Sequence, residues 1–185
     1  MKQLIATLTM TLALAFANSL QAQTLADILL SDGDQFDTDQ TDFDIVTEAV
    51  LATGLGGAAG SLELTAFLPT DKAFRILVED LYGISIKDEE ALFNAIVDTL
   101  GVDTVTDVLL YHLVPGTFEA ADVIALGDGF EVPTLLGPTF TLDFRGRGQI
   151  RLADNEPSLR DPIVRGTDII ATNGVAHVID RVLLP

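Results

Sequence analysis

The stretch Leu64-Thr65-Ala66-Phe67-Leu68-Pro69-Thr70-Asp71-Lys72-Ala73-Phe74 decides the fold. Leu62 to Leu68 is apolar and strand-compatible, and Pro69 ends it because proline offers no N–H to a sheet ladder. Thr70 then stands as the N-cap of a helix with Ala73, Phe74, Leu77 and Leu81 as its buried stripe, and Gly83 lies just past its end.

Upstream, Thr24 caps a short helix carrying Leu25, Ile28 and Leu29, and a second helix is expected over Asp42 to Thr53. Phe43, Val46 and Val50 share one of its faces, Gly54 is its stop, and Gly54 to Gly60 reads as a loop. Downstream, Asp88 caps a helix holding Leu92, Ile96 and Leu100, closed by Gly101. Asp103 or Thr104 starts another through Val108, Leu109 and Tyr111, and Pro115-Gly116 turns the chain. After about residue 127 the period becomes strand-like. Phe130–Leu136, Thr139–Phe144 and Gln149–Leu152 are expected strands, and Ile169–Thr172 with Val175–Leu184 forms a hairpin about Asn173-Gly174, two residues that accept positive φ. Helices beside an antiparallel sheet make an α+β domain.

Composition narrows the chemistry. The 185 residues hold 10 Lys and Arg against 28 Asp and Glu, a net charge of −18, with two His and no Cys. Disulfides, thiolate metal sites and a cysteine nucleophile are excluded, and a three-histidine metal site cannot come from one chain. Nucleic acid and anionic lipid would be repelled. Lys2, the apolar run Leu4 to Ala17 and the small residues after it read as a signal peptide over residues 1–22, cleaved after Ala17 or Ala22. The run is too short for a membrane span, which takes roughly 18–20 residues, so no transmembrane anchor is expected. Residues 23–41 form an acidic segment with a short helix, and 42–185 the domain proper.

Three motifs carry a resemblance: the opening stretch, Leu110-Tyr111-His112-Leu113-Val114-Pro115-Gly116, and the run from Ala171 to Pro185 that contains Asn173-Gly174 and His177. In this order and spacing the chain resembles the fasciclin domain family from roughly Asp42 to Pro185. The resemblance implies a wedge-like β-sandwich with a layer of helices. It also implies an exported protein, periplasmic or extracellular, used in adhesion and matrix contacts rather than catalysis; some members bind small apolar molecules. The simple signal peptide on a small single-domain chain points to a bacterial source.

Within the motifs, Phe67, Pro69, Thr70, Asp71, Phe74, Asn173, Gly174, His177 and Asp180 read as structural. Tyr111-His112 is proposed as an integrin-contact motif in animal members. The structural alternative is a tyrosine on the apolar helix face and an imidazole satisfied by backbone groups, and it is favoured here. Arg145, Arg147, Arg151, Arg160 and Arg165 cluster in an otherwise acidic chain, either as a docking patch or as charges guarding a sheet edge.

Asp37, Asp39, Thr41 and Glu48 match positions one, three, five and twelve of a calcium loop, but Asp42 replaces the glycine its turn needs; no metal site and no cofactor are expected. Gly54-Leu55-Gly56-Gly57-Ala58-Ala59 mimics a dinucleotide fingerprint but follows a helix instead of preceding one. Two functions remain. One is an exported, non-enzymatic adhesion or matrix module binding a cell-surface protein or glycan. The other is a carrier of a small apolar ligand such as a pigment or lipid, lined by Phe130, Leu135, Leu136, Phe140 and Phe144.

Overall fold

The computed structural model describes residues 23–31, 36–146 and 148–185. The signal-peptide reading, Asp32, Asp34 and Arg147 lie outside them. The first half is largely helical: α1 (Leu25–Leu30), α2 (Asp44–Thr53), α3 (Gly56–Ser61), β1 (Leu64–Pro69), α4 (Asp71–Tyr82), α5 (Glu89–Leu100) and α6 (Val102–Tyr111). Then follow β2 (Leu113–Pro115), α7 (Ala120–Leu126), β3 (Glu131–Pro133), β4 (Thr139–Arg145), β5 (Gln149–Ala153), β6 (Val164–Ala171) and β7 (Gly174–Ile179).

Two open sheets result, one in the order β2-β1-β7-β6 and one in the order β3-β4-β5. All six residues of β1 are buried, because both of its faces are covered. Successive side chains alternate across a strand. Leu64, Ala66 and Leu68 therefore meet the helices α1, α2, α4, α5 and α6, while Phe67 turns the other way into the space between the sheets. There Phe67 meets Phe140 edge-on at 5.3 Å between ring centres, and Phe140 meets Tyr111 edge-on at 6.1 Å. Helix layer, central sheet and second sheet thus enclose two apolar cores.

The α+β architecture agrees with the expectation, and several details differ. The central pair β1–β7 is parallel, Leu64 opposite Gly174 through Pro69 opposite Ile179, so the sheet is mixed rather than antiparallel. Gly54 ends α2 in the left-handed conformation, with φ 72°, as expected. The glycine-rich run after it forms α3 instead of a loop. Its low propensity is overcome by burial of Ala59 and by the Asn173 side chain, which donates to Ala59 O at 2.8 Å and Leu62 O at 2.9 Å.

Helix α7 adds to the expected elements; at its start Asp122 accepts from the Glu119 N–H at 3.1 Å. The expected strand Phe130–Leu136 shrinks to Glu131–Pro133. The last strand stops at Ile179; Val182 and Leu183 are buried as irregular chain, and the N–H groups of Leu183 and Leu184 go to the side chains of His112 and Asp154. The two-residue turn of the final hairpin is Thr172-Asn173, since Ala171 pairs with Gly174. Asn173 lacks positive φ, and its side chain is engaged in holding neighbouring segments.

Candidate functional site

Tyr111 and His112 lie where α6 gives way to β2, and both are interior. Tyr111 is fully buried; its hydroxyl donates to Thr139 O at 2.8 Å and accepts from Asn155 Nδ2 at 3.1 Å. Burial, reinforced by the Asp154 carboxylate, pushes its pKa up to about 12. His112 is 3% exposed. Its Nδ1 lies 2.6 Å from Val108 O, and its Nε2 is 2.9 Å from the Leu183 N–H. A carbonyl only accepts and an N–H only donates, so the ring is neutral with its proton on Nδ1. Burial drives its pKa down to about 4. Both side chains are enclosed, and their polar atoms bond within the domain.

His177 is also structural in its setting. It packs on Phe67 at 5.5 Å, its Nε2 lies 2.9 Å from Phe118 O, and its Nδ1 accepts from the Asp168 N–H at 3.4 Å. Both ring nitrogens of both histidines are therefore committed to backbone groups. Asp180 closes β7 onto β6, accepting from the Ile163 N–H at 2.8 Å and pairing with Arg165. Asn173 accepts from the Leu25 N–H at 2.8 Å. Gly174 permits a close approach: a Cβ there would stand 1.9 Å from the Leu64 carbonyl oxygen. Pro69 and Phe74 are buried, and Thr70 has N-cap backbone geometry without a side-chain cap bond.

Of the clustered arginines, Arg145 lies on β4, Arg151 on β5, Arg160 in the β5–β6 connection and Arg165 on β6. Arg151, on β5, pairs with Asp143 of the neighbouring β4 and, at 2.5 Å, with Asp161, and its backbone bridges to Ile163, just before β6. Arg145 reaches Asp143 at 2.5 Å and Arg165 reaches Asp180 at 2.5 Å, yet their side chains stay 55% and 50% exposed. Arg160 is also exposed.

An acidic cluster forms on the helical side. Asp44, Asp71 and Glu89 are the first residues of α2, α4 and α5, and all three are buried. Asp71 Oδ1 accepts from the Ile45 N–H at 2.9 Å and so caps α2 from another helix. Burial raises its carboxyl above the usual carboxylate range, with the charges of Glu89 and Asp44 adding to the effect. Glu89 is pushed up to about 7, first by burial and then by the charges of Asp42, Asp37 and Asp44. Sequence spacing alone had grouped Asp37 with Asp39 and Glu48. Asp39 instead accepts from the backbone and hydroxyl of Thr41.

Apolar space is present as well. A cavity of about 290 Å³ between α2, α4, α5 and α6 is walled by Ile45, Phe74, Leu77, Phe93, Leu100 and Leu184. A smaller one of about 140 Å³ lies by Phe130, Phe118 and Val132. Phe140, expected as part of a lining, is 1% exposed and belongs to the core.

Residues 41–185 match the fasciclin domain. The chain belongs to the fasciclin domain family. It is 33% identical to human periostin over 123 residues, covering 65% of this chain and 12% of that protein. With Protein sll1483 of Synechocystis sp. it is 31% identical over 121 residues, covering 65% of this chain and 54% of that protein. With pig transforming growth factor-beta-induced protein ig-h3 the identity is 28% over 144 residues, 77% of this chain and 18% of that protein. This fasciclin domain thus corresponds to between an eighth and about half of these relatives' lengths. A solved fasciclin domain pair from the insect cell adhesion molecule fasciclin I superposes with a TM-score of 0.63 at 19% identity, over 88% of this chain and 51% of that one. It shares the fold. Among the described residues no helix is long and apolar enough to cross a membrane.

Proposed function

We propose that this fasciclin domain is an exported adhesion or matrix-contact module, working in the periplasm or outside the cell without chemistry of its own. Membership of the fasciclin family carries the reading, and the neighbour in fold is itself part of a cell adhesion molecule. The two histidines support it, since each is bound to backbone through both ring nitrogens.

The contact residues in this proposal are the exposed arginines Arg145, Arg160 and Arg165, and the partner is a protein or glycan bearing acidic groups. Exposed ion pairs contribute about 0–1 kcal/mol each, so exchanging an internal carboxylate for a partner's costs little. The test is charge reversal of these three arginines to glutamate, read by attachment to cells and to carboxylated or sulfated glycan surfaces. The expected result is at least about a tenfold loss of attachment, or ~1.4 kcal/mol, in a variant that stays folded with a modestly lowered melting temperature, since Asp143 and Asp180 lose their cations. Undiminished attachment would remove this surface from the proposal.

The cavity of about 290 Å³ supports a second reading, a carrier of a small apolar ligand. Ligand pockets begin at roughly this size. Native mass spectrometry of protein from its own source separates the two readings. Bound mass that disappears on denaturation favours the carrier, and the bare sequence mass favours adhesion.

A further inference from the structure

Four separated pieces of chain bring carboxylates to one place. One oxygen each from Asp37, Asp44 and Glu89 lie within 4.8 Å of one another, and so do one each from Asp42, Asp44 and Asp71. Two oxygens each 2.4 Å from one cation stand at most about 4.8 Å apart, so each trio is compact enough to share an ion.

Asp44 belongs to both trios, and the least satisfied group is Glu89. It is 1% exposed, and neither of its carboxylate oxygens has a hydrogen-bond partner; Asp71 Oδ2, on a fully buried residue, has none either. Buried carboxylate oxygens are ordinarily paired, because stripping them of water is costly. Arg75 is the neighbouring cation, but its Nη2 stops 3.8 Å from Glu89 Oε1. Its Nε and Nη2 donate instead to the carbonyls of Ile86 at 3.0 Å and Lys87 at 3.1 Å. The positive ends of α2, α4 and α5 point into the same region, yet each supplies only about half a charge.

We propose that Asp37, Asp44 and Glu89 bind a calcium ion, with Asp42 and Asp71 flanking it, which ties the acidic segment to the N-termini of α2 and α5. A hard, all-oxygen, carboxylate-rich set of unequal reach suits calcium. Magnesium demands near-ideal octahedral geometry and keeps several waters, for which a site containing buried Glu89 is poorly matched. The ligand set differs from a contiguous calcium loop, since Asp37 and Glu89 come from distant parts of the chain.

Calcium binding to the purified chain is measured by isothermal titration calorimetry after chelator treatment, with thermal melting in calcium or magnesium alongside. One ion should bind per chain. The melting temperature should rise by about 5–10 °C at calcium a hundredfold above Kd. Glu89→Gln should weaken binding at least about tenfold while leaving the protein folded, because it removes a buried charge and keeps the shape. Asp39→Asn, which alters the same acidic segment outside the trio, should keep the response. The proposal is overturned by no binding up to roughly 10 mM calcium. It is equally overturned by an unaltered response in Glu89→Gln, or by magnesium acting as strongly as calcium.

Discussion

Acid should loosen this protein through one imidazole. In the folded chain His112 Nε2 accepts the Leu183 N–H at 2.9 Å. A proton on Nε2 would set two donors against each other inside the core. Burial accordingly holds its pKa at about 4, against roughly 6.5 in an unfolded chain. The folded value is the depressed one, so the unfolded chain takes up the proton first. The contribution is fully present above pH 6.5, declines as pH falls, and is gone below pH 4. A difference of about 2.5 units corresponds to about 3 kcal/mol in total, and to about 2 kcal/mol by pH 5.

The assay is urea unfolding of the wild type and of His112→Asn at pH 7.5 and pH 5. At pH 7.5 the variant should be less stable by roughly 2–4 kcal/mol, since Val108 O and the Leu183 N–H lose a well-placed partner. At pH 5 the gap should narrow by about 2 kcal/mol. Glu89 titrates in the same range with the opposite sign, but it is present in both proteins and drops out of the difference. A gap that stays constant between the two pH values, or an imidazole midpoint near 6.5 by NMR, would refute the reasoning.

Gly174→Ala should cost about 3 kcal/mol or more in urea unfolding, because its Cβ would meet the Leu64 carbonyl oxygen at 1.9 Å where β1 and β7 first pair. A loss below about 1 kcal/mol would contradict that close approach. Tyr111→Phe should lower stability by about 1–2 kcal/mol through its two hydroxyl hydrogen bonds while leaving attachment to partners intact. Weakened attachment at unchanged stability would count against its interior role. Glu89, raised from 4.5 to about 7, contributes stability that is fully present below pH 4.5 and lost as pH rises through 7. Without calcium, Glu89→Gln should therefore be the more stable protein at pH 8 and should lack that pH-dependent component, as read from unfolding midpoints across pH 4.5–8.

Local chemistry was legible where neighbours in sequence stay neighbours in space. The passage from β1 through Thr70 into α4 and the capped start of α5 at Asp88 follow from spacing and end residues alone. The family motifs added the placement of His112 and His177. Features decided by distant contacts were not legible. Helix α3 depends on Asn173, more than a hundred residues away, to hold a run of glycine and alanine in shape. The parallel pairing of β1 with β7 leaves no mark on either strand, since both read as short apolar runs. The acidic cluster was invisible for the same reason. Asp37 suggested a contiguous loop, whereas Asp71 and Glu89 reach it only once α4 and α5 have packed.

The parallel pairing of β1 with β7 has a bearing on how the chain is made. The first strand of the central sheet finds its long partner only in the last strand of the domain. Nearby, the Asn173 side chain fastens Leu62 across 111 residues. Among the described residues, a ribosome-tethered chain lacking residue 174 onward has β2 as the only strand neighbour of β1, joined over just three positions. Such a chain cannot complete the central sheet until its final segment is delivered. On the proposed export of this domain that order of events would be an asset, because a chain that cannot complete its sheet early would not jam a translocation pore.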